Sequence, residues 1–168
     1  MKKISKEKFS ELWPEIGGKY QLFLPVEEDG VVNFKPYEKG AKVNFNAVNM
    51  VRPPKEIFFP QTDNYLSFYS KKGSLRLEAV EPAGEKPLFL LGVRPCDVES
   101  FAILDRVFLQ EPQDLLYSKR RQNALVAALA CSKPGPTCFC TVFGLEPGAA
   151  PGADLLLHKA GDSFFLRG

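Results

Sequence analysis

The sequence predicts an α/β domain on a mixed sheet, with a βαβ unit that carries cysteine turns at the C-terminal ends of its strands. Three observations predict it. KPLFLLGV (86–93) is a continuous apolar run, the pattern of a central strand covered on both faces. VESFAILDRVFL (98–109) comes after a short turn and groups Val98, Phe101, Ala102 and the Leu104/Asp105 positions on one broad side, as an amphipathic helix does. ALVAALA (124–130) is the next apolar run and ends directly at Cys131. The result is strand, turn, helix, strand, and the C-terminal strand edge is where open α/β sheets bind ligands.

Ser5 can cap a short helix with Phe9, Leu12 and Trp13 on one face, ended by Pro14 and Gly17-Gly18. YQLFLPV and VVNFKPY read as two strands joined by the acidic turn EEDG, a hairpin. From Glu38 to Pro60 the text is irregular, and Pro53-Pro54 is expected to keep that stretch extended. EIFFP and NYLSFYS read as buried or half-buried, with Phe58, Phe59, Tyr65 and Phe68 in the core. SLRLEAV (74–80) alternates as a strand with one wet face. DLLYSKRRQNA is a loop or short helix with a basic end, and ADLLLHKAG with DSFFLRG is a closing strand pair.

Composition narrows the function. The chain has 168 residues, 45% of them apolar, with 14 Phe: enough for the core of one domain spanning 1–168. A net charge of +2 without long basic runs gives no reason for a nucleic-acid partner. No run is long and apolar enough to span a bilayer, and MKKISKEKF lacks the apolar centre of a signal peptide. A cytoplasmic setting is expected, where clustered cysteines serve as metal ligands or reactive thiols more often than as disulfides.

The four cysteines all sit in two short turns rich in Pro and Gly: Cys96 in RPCD, and Cys131, Cys138 and Cys140 in CSKPGPTCFC. Structural cysteines would more often be scattered through apolar runs. Cys138 and Cys140, at i and i+2 of an extended segment, leave the same face roughly 6.5 Å apart, from a rise of about 3.3 Å per residue. That suits two irons of a cubane better than two corners of one small ion, and the C-x2-C to C-x4-C knuckles of structural zinc are absent. The spacing also departs from the bacterial ferredoxin run. The expectation is one [4Fe-4S] cluster on Cys96, Cys131, Cys138 and Cys140. A zinc-stabilised docking module and a thiol redox enzyme using Cys138 and Cys140 are the alternatives.

Around these ligands, Asp97 is expected as a helix N-cap, with an oxygen-ligand role as its alternative. Cys96 at a helix N-terminus is placed where the dipole favours a thiolate. Arg94, Lys119, Arg120, Arg121 and Lys133 can offset a net-negative cluster or dock a partner, although Lys119, Arg120 and Arg121 read first as a solvated face. Arg52 and Lys55 read as solvated loop residues, with a flavin phosphate or a partner as the sharper option. His158 belongs on an exposed strand face. No acid/base pair or activated nucleophile is evident, so turnover by this chain alone is not expected.

PPKEIFFPQTDNYLSF, LLGVRPCDVESFAILDRVF, DLLYSKRRQNALVAALACSKPGPTCFC and PGADLLLH together resemble the N-terminal domain of a family of iron–sulfur electron-transfer subunits. These are the beta subunits of sulfhydrogenase-type cytoplasmic hydrogenases and the A subunit of anaerobic sulfite reductase. The resemblance covers about the last two-thirds of the chain, with GVRPCD and CxxPxxTCFC its most specific parts. RPCD more remotely resembles the flavin-containing beta subunit of deazaflavin-reducing hydrogenases. The resemblance implies an electron relay in a hydrogenase- or sulfite-reductase-like complex, with flavin/NAD(P)H-binding and catalytic subunits as partners and the flavin on a partner. Family members continue into a domain with two C-x2-C-x2-C motifs, which these 168 residues lack. The expectation is therefore a short form or the N-terminal domain of a longer protein, carrying the first centre of the relay.

Overall fold

The computed structural model describes residues 1–79 and 86–168. A seven-stranded mixed sheet runs through it in the order β1-β9-β8-β7-β6-β2-β3. The strands are β1 (Lys2–Ser5), β2 (Gln21–Glu28), β3 (Val31–Pro36), β6 (Leu88–Val93), β7 (Ala124–Leu129), β8 (Leu155–Ala160) and β9 (Ser163–Arg167). Its centre, β2-β6-β7-β8, is parallel, and antiparallel hairpins close both sides. β4 (Leu66–Lys71) and β5 (Ser74–Ala79) form a separate two-stranded hairpin.

The apolar runs behave as their composition dictates. Along β6, Leu90 packs into one core and Leu91 into another; along β7, Val126 and Ala128 alternate with Ala127 and Leu129 in the same way. Side chains of period two therefore feed two cores, one on each face of the sheet. The first face is covered by α1 (Lys6–Glu11) and α2 (Trp13–Lys19) through Phe9 and Trp13, with Phe45 and Phe164 between them. The second is covered by α3 (Pro95–Phe108) and α4 (Leu115–Gln122) through Val98, Phe101 and Tyr117, with Phe58 fully buried among them.

The βαβ unit is present as β6-α3-α4-β7, its strands parallel, and DLLYSKRRQNA supplies a helix capped by the Asp114 carboxylate. Ser5 caps α1 as expected, accepting from the Lys8 N–H. Pro14 opens α2 instead of ending α1, because proline is pre-set for the first helical turn, and Gly17-Gly18 continue inside α2. Leu12, expected on the buried face, is 40% exposed at the joint between the two helices. The β2–β3 hairpin turns through Asp29 and Gly30, both with positive φ, the conformation such a two-residue turn requires. Pro54 likewise starts a 3-10 turn (Pro54–Ile57) where extended backbone was expected.

The aromatics also differ from expectation. Of Phe58, Phe59, Tyr65 and Phe68, only Phe58 lies in the core; Phe59, Tyr65 and Phe68 are exposed. SLRLEAV forms β5 through Ala79, while Val80 falls outside the described residues. Its alternation is real: Leu66, Phe68, Leu75, Leu77 and Ala79 share one face of the β4–β5 hairpin. That face meets solvent, because a two-stranded ribbon has no second layer of its own to cover it.

Candidate functional site

The parallel strands β6 and β7 end at the same sheet edge, and each delivers cysteine within a few residues. β6 reaches the edge through a bulge, the register to β7 shifting between Leu91 and Val93. Gly92 is the extra residue, with φ 98° and the Phe45 ring where a Cβ would stand, 2.8 Å away. A bulge re-aims the side chains beyond it. Val93 turns into the second core, Arg94 becomes the N-cap, and Pro95 starts α3. Cys96 then lies in the first helical turn. Asp97 sits one residue further in and is not the cap, because Pro95 moves the helix start upstream.

After β7 the Cys131 N–H donates to the Pro147 carbonyl at 2.9 Å. Within the loop, the Gly135 N–H donates to Cys138 Sγ at 3.1 Å, and the Cys138 N–H returns to the Gly135 carbonyl at 3.1 Å. Cys140 opens a 3-10 turn to Phe143, ended by left-handed Gly144. A cavity of about 380 Å³ lies between these turns and is lined by Cys96, Cys131, Cys138 and Cys140 together with Val48 and Asn49. All four cysteines are free thiols.

Burial pushes the Cys96 thiol up to about 11, with the charges of Asp97 and Cys131 adding to it, although the residue as a whole is exposed. The backbone N–H of Asp97 at the helix start pulls the other way, as the helix terminus should, but burial outweighs it. Burial also raises Cys131, opposed by the Arg94 guanidinium beside it. Asp97 is raised to about 6 by burial, with Lys55 and Arg94 pulling the other way.

Arg94 is 6% exposed. Its guanidinium donates to the carbonyls of Phe45 at 2.8 Å, Ala47 at 2.5 Å and Ala130 at 3.4 Å, while its Nε is buried without a partner among the described residues. It therefore pins the 45–47 segment to the end of β7 and sets a buried cation beside Cys131, without lining the cavity itself. Arg120 and Arg121 lie at the start of β7, the end away from the cysteines. Arg120 forms two hydrogen bonds to Asp63 at 2.7 and 2.8 Å, and Arg121 Nε reaches both Asp105 oxygens at 3.1 Å over the rings of Phe58 and Phe101. Neither lines the cavity, nor does Asp97, whereas Lys133 does. His158 is half-buried on β8 opposite Phe165.

A single zinc with Zn–S near 2.3 Å draws its sulfurs to about 3.8 Å of one another. Among the described residues no group of three or more His, Cys, Asp or Glu side chains is drawn together to hold one ion. The four thiols instead line the walls of one cavity, and thiolates serve as ligands of zinc and of iron–sulfur clusters alike.

Sequence reasoning missed Val48, Asn49 and Thr137. Val48 and Asn49 meet the site because Arg94 holds the 45–47 segment beside it, a long-range contact with no local signal, while Thr137 lies within the cysteine loop itself. Asn49 Nδ2 donates to Thr137 Oγ1 at 3.0 Å, and Asn49 Oδ1 faces Cys138 Sγ at 3.9 Å.

No family model matches the chain, and no solved structure matches it. Among curated proteins it is similar to Sulfhydrogenase 2 subunit beta of Pyrococcus furiosus, with 27% identity over 165 residues. The alignment covers 98% of this chain and 47% of that relative, so the chain spans about half the relative's length. The resemblance to hydrogenase beta subunits read from the motifs is borne out, and it extends over nearly the whole chain. No described helix is long and apolar enough to cross a membrane.

Proposed function

We propose that residues 1–168 act as an electron-transfer domain of a cytoplasmic oxidoreductase complex, holding one [4Fe-4S] cluster through Cys96, Cys131, Cys138 and Cys140. The observation that carries this reading is the convergence of four free thiols, from two turns far apart in sequence, on one cavity at the C-terminal edge of a parallel sheet. Similarity to a sulfhydrogenase beta subunit supports a hydrogenase-like setting, with flavin/NAD(P)H-binding and catalytic subunits as partners and the flavin on one of them.

When bound, such a cluster supplies reversible one-electron chemistry. The four cysteines bind as thiolates and so release protons on loading. Arg94, bound to three carbonyls and lying beside Cys131, would then offset part of the negative charge at that ligand. A buried cation beside Cys131 and an N–H donor on Cys138 both favour the electron-rich state of whatever the sulfurs bind, and so raise its potential.

Iron and acid-labile sulfide assays on anaerobically purified protein test the proposal, with the expected result a brown protein in cluster stoichiometry. Cys138→Ser and Cys140→Ser are each expected to lose most of the visible absorption band. Colourless protein with stoichiometric zinc would replace the relay by a docking module, and an unchanged band in both variants would remove these ligands.

A further inference from the structure

Asn49 stands with its amide between two groups of the cysteine loop. Its Nδ2 donates to Thr137 Oγ1 at 3.0 Å, and its Oδ1 is the acceptor facing the Cys138 thiol at 3.9 Å. That orientation suits a thiol, which has a hydrogen to give. A metal-bound cysteine sulfur has none, and an amide oxygen pointed at it would be repulsive. Turning the amide over about its last side-chain bond reverses both contacts: Nδ2 donates to sulfur, and Oδ1 accepts from Thr137. The second contact survives because a threonine hydroxyl can accept or donate. The inversion keeps the shape of the amide, and Gly135 lies beside both groups, a Cβ there standing at the ordinary contact distances of 3.4 Å from Asn49 Nδ2 and 3.5 Å from Cys138 Sγ. Its N–H already donates to Cys138 Sγ at 3.1 Å, so the inverted amide would give that sulfur a second donor.

We propose that Asn49 is a positioning residue for the proposed cluster: on loading, its amide inverts against Thr137 and donates to the Cys138 sulfur, raising the reduction potential. The inference rests on the cluster reading above. Donors to a ligating sulfur stabilise the reduced state more than the oxidised one, because the reduced state carries more negative charge on sulfur. A shape-conserving Asn49→Leu therefore loses the donor, and Asn49→Asp replaces it with an acceptor.

The experiment is a redox titration of anaerobically loaded wild type, N49L and N49D, monitored by visible absorption, with iron and sulfide content measured on each. In N49L the reduced-to-oxidised ratio at fixed ambient potential is expected to fall about tenfold, a downward shift of about 59 mV for one electron. N49D is expected to shift at least as far in the same direction. A packing role alone would change cluster content or thermal midpoint and leave the potential in place. Variants that load fully and keep the wild-type potential overturn this inference alone. A wild type that takes up no iron or sulfide overturns the cluster reading and this inference with it.

Discussion

At the scale of single residues, Arg94 and Arg120 use the same guanidinium in opposite ways. Arg94 is buried against three carbonyls, so shortening it strands those acceptors. Arg94→Met is expected to lower stability by about 2 kcal/mol or more, measured as the urea midpoint, and to loosen the 45–49 segment from the cavity. Arg120 instead grips Asp63, and its hydrogen bonds hold that carboxyl below its ordinary value. A carboxylate depressed in the folded state contributes stability above its unfolded value, near 3.8, and loses it as pH falls through the folded one. The stability gap between wild type and Asp63→Asn is therefore expected at pH 7 and should narrow as denaturation is repeated below pH 3.8. A gap unchanged by pH would mean that the pair's charge contributes nothing. The sequence marked Arg120 and Arg121 by charge and nearness to the cysteines, yet Asp63 and Asp105, their ion-pair partners, carried no such mark because the pairing is made only by the fold.

At the scale of elements, the bulge in β6 decides where Cys96 points. Gly92 combines a φ of 98° with a Phe45 ring carbon 2.8 Å from where a Cβ would be, so Gly92→Ala meets both backbone strain and overpacking. The expected cost is about 2–4 kcal/mol, with loading of the proposed cluster lost more sharply than the fold, as read by iron content against circular dichroism. The aromatic segments give the contrasting case. Phe58, fully buried against Phe101 with ring centroids 4.9 Å apart, should cost about 3–5 kcal/mol on truncation to alanine. Phe68→Ser on the uncovered hairpin face should stay within about 0.5 kcal/mol. Both residues sit in similar aromatic text. Alternation and hydrophobicity identify an apolar face, while whether anything covers it depends on a second layer that local pattern does not encode. For the same reason β6 and β7 were legible as buried strands: runs apolar on both faces have no solvent side to misread.

At the scale of the whole molecule, the two cores and the cysteine site are separate structures that share one sheet edge. The parallel β6-β7 centre, both cysteine turns and the closing β8–β9 hairpin could be read from the sequence. The pairing of β1 with β9, which joins the first strand to the last, could not, since four residues of KKIS carry too little pattern to announce a strand. The same separation predicts how the protein would answer loss of the proposed cluster. The cores on either face are filled by Leu22, Leu24, Phe58, Phe101, Leu129 and their neighbours, none of which lines the cavity. The 131–147 loop, by contrast, is held mainly by short-range turns, the Cys131–Pro147 bond and the Asn49–Thr137 bridge to the 44–49 segment. Removing the proposed cluster with a chelator should therefore leave the far-ultraviolet circular dichroism nearly unchanged while speeding protease cleavage within 132–146, where lost ligand bonds would leave little else to oppose local opening. Cleavage confined to that loop in the stripped protein, and suppressed in the loaded one, is the expected pattern. Global unfolding on stripping would mean that the cysteine site organises the cores, against the division of the two hydrophobic clusters from the cavity.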